Sequence, residues 1–292
     1  MDIRDGRLDD LDQLAELNTL ARPYAVGSRT GVRYWLTKAD GVSYVAEENG
    51  QPIGWTAVGR ADWLDDDDSY TLQVLVHPEF RRRGVGTRLL RMAEEWLGRS
   101  PSWQVQAMAD ETGIEFARQA GFTLGAELTY AGVDLTTDQP PVVQIPDGLT
   151  LVPLADLTAQ DVFPAYQETC LDIPAGTAID PAYDWYVEHV WQSELFDREL
   201  SLALLDDGAV VAFTISLRDG ERLWTDMTGT VASHRGRGLA SAVKSAALVR
   251  ARDAGVTAGY TAMNVTNEPM LAANRRMGYR AVGLRAQLTK VR

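Results

Sequence analysis

The stretch that decides the fold is VHPEFRRRGVGTRLLRMAEEWL (76–97), in which Arg81-Arg82-Arg83-Gly84-Val85-Gly86-Thr87 separates an apolar run from an amphipathic one. It has a second copy, TVASHRGRGLASAVKSAALVRA (230–251), centred on Thr230-Val231 and His234-Arg235-Gly236-Arg237-Gly238-Leu239-Ala240. Arg81, Gly84 and Gly86 correspond to Arg235, Gly238 and Ala240, an offset of 235 − 81 = 154 residues. Further on, QAGF (119–122) corresponds to RMGY (276–279), with an offset of 278 − 121 = 157 between the glycines. Two features in the same order at nearly the same spacing indicate a duplicated domain, with an indel between helix and strand.

Each copy has the makings of an anion cradle. Glycines admit backbone angles closed to other residues and let a ligand approach the chain. The first N–H groups of the following helix lack intrahelical partners and lie at the positive end of its dipole. Phosphate groups fit such a place. Arg81, Arg82, Arg83, Arg88 and Arg91 add positive charge around the first copy, and Lys244 follows the second. No Lys-Ser or Lys-Thr follows the glycines, so neither copy is a nucleotide-binding P-loop. Each also follows the middle of its domain rather than its first strand, unlike a dinucleotide-binding fold.

Outward from these loops, the two halves read alike. The first gives strands near 2–5, 43–48, 52–61, 69–77, 103–109 and 122–135, with the turn Asn49-Gly50 joining two of them. Helices are expected from Leu8 through Leu17, from the loop to about residue 98, and over 112–120. The second gives strands near 149–153, 200–206, 209–217, 222–232, 256–262 and 279–289, and helices near 236–254 and 267–277. TTDQPPVVQIPDG (136–148), with three prolines, reads as a stiff linker between domains at 1–135 and 149–292. The expectation is an α/β (α+β) protein of two tandem domains, each a mixed, mostly antiparallel sheet with helices on both faces.

Composition narrows the functions. With 28 Lys+Arg against 41 Asp+Glu the chain carries a net charge of −13, which argues against general binding to nucleic acid or to an anionic membrane. One cysteine, Cys170, excludes an internal disulfide and a multi-thiolate zinc site. His77, His189 and His234 show no metal-ligand spacing, so no metal is expected. No apolar run approaches the roughly 20 residues of a membrane span, and the reading is cytoplasmic.

The pattern Arg-x-x-Gly-x-Gly/Ala after an apolar strand, met at Arg81-Gly84-Gly86 and Arg235-Gly238-Ala240, resembles the acyl-CoA-binding motif of the GNAT N-acetyltransferases. The resemblance covers nearly the whole chain as two such domains in tandem, an arrangement shared with mycothiol synthase and its relatives. It implies that the loop amides hold the pyrophosphate of coenzyme A. It further implies that the preceding strand splays from its neighbour, opening a slot for the pantetheine arm. Val74, Leu75 and Val76 would line the first slot, and Thr228, Gly229 and Thr230 the second. The implied co-substrate is acetyl-CoA and the implied acceptor a small-molecule amine. The chain could act as monomer or homodimer.

The resemblance also separates the halves. Asn264 and Asn267 stand at asparagine positions that touch the pantetheine arm, whereas the first half has Asp110 where Asn267 lies. A tyrosine that protonates the leaving thiolate is replaced by Ala117 in one half and Asn274 in the other. The C-terminal half is therefore expected to be catalytic, with Asp226, Glu168 or Asp172 as its base. Asp226, Thr228 and Thr230 alternate, so they are expected to share one face of a strand. Tyr183, Trp185, Tyr186 and Trp191, with His189, read as a helical cluster that is mostly core, with one or two members lining the site. Asp62, Trp63 and the run Asp65–Asp68 read as a solvated turn, and Cys170 as a small buried hydrophobe. Competing readings are a non-catalytic acyl-CoA sensor or scaffold, and a transferase for a protein N-terminus or lysine.

Overall fold

The computed structural model describes residues 1–61, 68–172 and 180–292. Asp62, Trp63 and Asp65 to Asp67 of the acidic run lie outside them. The chain divides into two compact units, one of Met1–Glu127 with Leu284–Arg292 and one of Leu128–Gly283.

The first unit runs β1 (Asp2–Asp5), α1 (Leu11–Ala21), α2 (Ser28–Thr37), β2 (Gly41–Glu48), β3 (Gln51–Arg60), β4 (Ser69–Val76), α3 (Val85–Leu97), β5 (Gln104–Asp110) and α4 (Glu111–Gln119). β6 (Thr123–Asp134) carries the chain into the second unit. There follow β7 (Thr150–Pro153), α5 (Ala159–Leu171), α6 (Tyr183–Tyr186), β8 (Leu202–Asp206), β9 (Ala209–Asp219), β10 (Arg222–Thr230), α7 (Leu239–Asp253), β11 (Ala258–Asn264) and α8 (Glu268–Arg276). β12 (Arg280–Val291) begins in the second unit and ends in the first.

In the first unit the strands lie in the order β1-β2-β3-β4-β5-β12, with β4 and β5 parallel and the other pairs antiparallel. In the second the order is β6-β11-β10-β9-β8-β7, with β10 and β11 parallel. Arg285–Val291 of β12 pairs with β5, and Leu128–Asp134 of β6 pairs with β11. The last strand of each sequence half thus completes the sheet built mainly from the other half.

Alternation along the strands puts helices on both faces of each sheet. Val45, Trp55, Ala57 and Leu75 pack on Leu11, Leu14 and Leu17 of α1, while Tyr44, Ala46 and Ile53 pack on Val85 and Leu89 of α3. In the second unit Ala203, Phe213 and Ile215 meet Val162, Ala165 and Tyr166 of α5, while Leu202, Leu204 and Ala212 meet Leu239, Ala242 and Val243 of α7.

The hairpins turn on left-handed pairs, Asn49-Gly50 (φ 53° and 76°) and Asp207-Gly208 (φ 46° and 83°). Helices α2 and α5 go beyond the sequence reading. For α5 the signal was present, because Thr158 and Asp161 form a reciprocal cap, with Asp161 Oδ2 accepting from the Thr158 N–H at 2.7 Å. Among the described residues no helix is long and apolar enough to cross a membrane.

Candidate active site

The two arginine–glycine loops are built alike. Gly84 (φ 80°, ψ 0°) precedes α3 and Gly238 (φ 76°, ψ 10°) precedes α7, each in the left-handed region that glycine alone enters freely. Two residues earlier, Arg82 (φ 62°) and Gly236 (φ 75°) are left-handed as well. Neither helix has a side-chain cap, which leaves its first N–H groups directed outward. Val85 and Leu239 are buried in the core, so they anchor the helix start and offer only backbone to a ligand. Arg81 Nε donates to the carbonyl of Val76 at 3.4 Å, and Arg235 Nε to that of Thr230 at 3.1 Å. Arg82, Arg83 and Arg237 are exposed beside the loops, and Arg83 lies over the Phe80 ring.

Behind each loop the parallel strands part. β4 pairs with β5 from Ser69 through Leu72, and its remaining residues, with Leu75 and Val76 nearest the loop, have no partner there. β10 pairs with β11 only from Arg222 through Trp224. Thr225 Oγ1 and the Tyr279 hydroxyl meet at 3.3 Å near this parting, and Thr261 Oγ1 donates to the Thr225 carbonyl at 3.0 Å.

A family model described as the acetyltransferase (GNAT) family matches residues 11–122 and 163–279. The chain belongs to this family. It is 24% identical to a mycothiol acetyltransferase of Propionibacterium freudenreichii over 94% of this chain and 86% of that one. With the mycothiol acetyltransferase of Pseudarthrobacter chlorophenolicus it shares 23% identity over 81% and 75% of the two lengths. An uncharacterized N-acetyltransferase of Methanocaldococcus jannaschii is 30% identical over 41% of this chain, an alignment spanning 59% of that relative's length. Among solved structures, a GCN5-related N-acetyltransferase of Sphaerobacter thermophilus superposes with a TM-score of 0.78 at 18% identity, covering 99% and 95% of the chains. A tandem GNAT protein from the clavulanic acid biosynthesis pathway superposes at 0.74 with 21% identity, covering 99% and 98%. The protein is thus a tandem GNAT chain, and its two copies can be compared position by position.

The strands before the loops differ by one residue. In β4 the register against β3 is unbroken, Leu72 facing Val58 and Gln73 facing Ala57. In β10, Thr225 faces Ser216 and Met227 faces Ile215, so Asp226 bulges out of the ladder and has no counterpart in β4. The bulge overturns the expected common face of Asp226, Thr228 and Thr230. Thr228 pairs with Thr214, their hydroxyls 2.9 Å apart, and Thr230 pairs with Ala212 on the α7 side. Asp226 instead bonds to Trp224, and its charge is felt by Tyr166 and Cys170 of α5. Solvent reaches Asp226, but protein surrounds it, and this desolvation raises its carboxyl above the usual range against the opposing Trp224 hydrogen bond.

The other two acids expected as bases are tied to the second loop. Glu168 Oε1 accepts from the Ala232 N–H at 2.5 Å, and Asp172 pairs with Arg235. Both therefore brace the loop from α5, where Thr169 packs so tightly on β10 that a Cβ at Gly229 would lie 2.5 Å from it. His234 spans Ser233 Oγ at 2.8 Å and Asp206 at 2.9 Å, fixing the turn ahead of Arg235. Val231 donates its N–H to the Val211 carbonyl, and Thr230 Oγ1 is buried without a partner among the described residues.

Asn264 and Asn267 act locally. Asn264 Oδ1 accepts from the Thr266 N–H at 2.9 Å, and Asn267 caps α8 by accepting from the Met270 N–H at 3.3 Å. Asp110 caps α4 through the Gly113 N–H at 2.9 Å, the same service as Asn267. The indel therefore falls between β11 and α8. Tyr186 is fully buried against Tyr166 and Phe163, while Tyr183, Trp185 and Trp191 are partly buried around them. Trp185 stacks on His189. Cys170 is buried, its thiol pushed up to about 11 by that burial.

Two features were beyond sequence reasoning. Lys244, at 2% exposure, donates to Asn274 Oδ1 at 2.7 Å and lies 4.7 Å from the Tyr279 ring centre, and burial pushes its amine down to about 7. Asn274 Nδ2 in turn donates to Met263 Sδ at 3.0 Å. In the first unit a cavity of about 720 Å³ opens at the loop, touching Arg81, Arg82, Gly84, Gly86 and Thr87. It continues past Leu75 and Val76, and reaches Ala21, Arg22 and Tyr24 at and just beyond the end of α1.

Proposed function

We propose that the protein is an N-acetyltransferase that moves an acetyl group from acetyl-CoA to a primary amine on a small molecule, with the reaction at the second slot. The observation that carries this reading is Asp226, an inserted carboxylate where β10 leaves β11. A carboxylate raised above its usual range is a better base near neutral pH. The outward N–H groups at Leu239 and Ala240 suit a pyrophosphate, and the unpartnered Thr230 hydroxyl suits the polar arm behind it.

In this reading Asp226 takes the proton that the amine must lose. The nitrogen bonds to the thioester carbonyl carbon, the carbon–sulfur bond breaks, and the electron pair leaves on sulfur. Asn274, its amide fixed between Lys244 and Met263, stands where the family's tyrosine would donate, so the thiolate takes its proton from water. The relatives named for mycothiol, rather than for a protein acceptor, support a small-molecule amine. A second reading, acyl-CoA binding without turnover, draws on the missing tyrosine in both halves and on the Glu168 carboxylate lodged against the second loop.

Release of free coenzyme A from acetyl-CoA, followed across a panel of primary amines, tests both. The account expects turnover with at least one amine and a drop of roughly 10²-fold or more in Asp226→Asn. Turnover unchanged in that variant would remove Asp226 as base. Saturable acetyl-CoA binding with no amine accepted would favour the second reading.

A further inference from the structure

We infer that the first slot takes an acyl-CoA whose acyl group is a straight apolar chain longer than acetyl. The inference rests on the reading that the loop from Arg81 to Thr87 holds coenzyme A. It goes beyond that reading by naming what the inner end of the slot accepts.

Equivalent positions in the two units differ in chemistry. Where the second unit has Lys244 the first has Leu90, and Asn274 is replaced by Ala117. Tyr279 becomes Phe122, and Thr225, by strand register, becomes Leu72. In the second unit these four side chains fill the space between α7, α8 and the sheet with a hydrogen-bonded polar group. In the first unit the same four positions are apolar, belong to one buried cluster, and all line the cavity. Leu288 and Ala107 line the cavity beside them.

The cavity therefore has two chemically distinct ends. Arginines and backbone N–H groups mark the mouth, where a pyrophosphate is suited. Leucine, alanine and phenylalanine mark the interior, where a void lined by such residues stays dry and favours an apolar occupant. Acetyl supplies one methyl group, whereas Leu72, Leu90, Ala117 and Phe122 offer an apolar lining where the second unit has polar side chains, which suits a chain of several methylenes. Each methylene buried adds a factor of a few in affinity, about 0.8 kcal/mol.

The test uses the full chain carrying Gly238→Val, which silences the second loop, and titrates it calorimetrically with coenzyme A, acetyl-CoA and octanoyl-CoA. Octanoyl-CoA is expected to bind at least about tenfold more tightly than acetyl-CoA. Ala117→Phe, which adds bulk among the cavity's apolar side chains, is expected to erase that preference, read as the ratio of the two affinities. Equal affinity for the two esters, or weaker octanoyl-CoA, would overturn the inference and leave the loop reading standing. Failure of all three to bind would overturn the loop reading itself. The preference in the chain with an intact interior decides the matter without the Ala117 variant, should that one misfold.

Discussion

The loops at Arg81–Thr87 and Arg235–Ser241 share their backbone, yet the strands and helices around them have diverged. Both place a glycine at φ near 80° ahead of a helix, and both use the first arginine to hold the last carbonyl of the strand. Around the first lies an open slot with an apolar floor. Around the second lie an inserted carboxylate, a buried lysine and two acids braced against the loop. The lesson is that the loop's backbone conformation survives side-chain change, while the side chains around it have diverged. One inserted residue in a strand gives the second half a carboxylate that the first half lacks.

Breaking one cradle at a time gives the largest expected effect. A Cβ at Gly84 or Gly238 meets nothing within 4 Å, so valine there is penalised through the left-handed backbone alone, by roughly 1–2 kcal/mol. Gly238→Val is expected to lose turnover by orders of magnitude, and Gly84→Val to leave it within a few-fold, both read as coenzyme A release. Near-equal loss in the two variants would mean that both slots react.

Lys244 sharpens the contrast through stability. Its folded-state pKa is pushed down to about 7, below the value of about 10.4 expected in the unfolded chain. Between these values the unfolded state binds the extra proton, so stability rises with pH from about 7 to 10. The Tm of the wild type is expected to climb over that range relative to Lys244→Met, by several degrees. Parallel Tm curves would show that the amine titrates normally.

Asp226 has the opposite sign. Folding favours its protonated form, so stability falls as pH rises from the unfolded carboxyl value of about 3.9 through the raised folded value. Asp226→Asn is expected to gain Tm over the wild type at pH 8 and to lose that gain by pH 4. A constant difference across the range would mean that the carboxylate is not desolvated by the protein around it.

The smallest effect concerns Arg82, left-handed where its counterpart is Gly236. Arg82→Gly is expected to stabilise the chain by up to about 1 kcal/mol in chemical denaturation, by relieving that backbone. Destabilisation would mean that the side chain makes a contact worth more than the strain.

The duplicated loop, the glycine turns and most strands were legible in the sequence because each rests on local chemistry. Periodicity and turn residues report on their own neighbourhood, and the repeat offset reports on the pairing of halves. What could not be read was register. Alternation put Asp226 on one face with Thr228 and Thr230, and the bulge, which depends on how β9 lies alongside, turned it to the other. The trade of last strands between β6 and β12 is likewise a matter of tertiary pairing. Lys244 read only as a positive charge following the second loop, and its burial shows only once α8 packs over it. Glu168 and Asp172 had the right charge and neighbourhood for bases, but the structure commits them to Ala232 and Arg235.

The central claim is that one cradle binds and the other both binds and reacts. Native mass spectrometry of the chain titrated with acetyl-CoA, run on the wild type, Gly84→Val and Gly238→Val beside their turnover, tests it most directly. The account predicts two ligands on the wild type, one on each variant, and turnover lost only with Gly238→Val. A wild type that binds none at concentrations well above micromolar, or a Gly238→Val chain that still turns over while Gly84→Val does not, would contradict it.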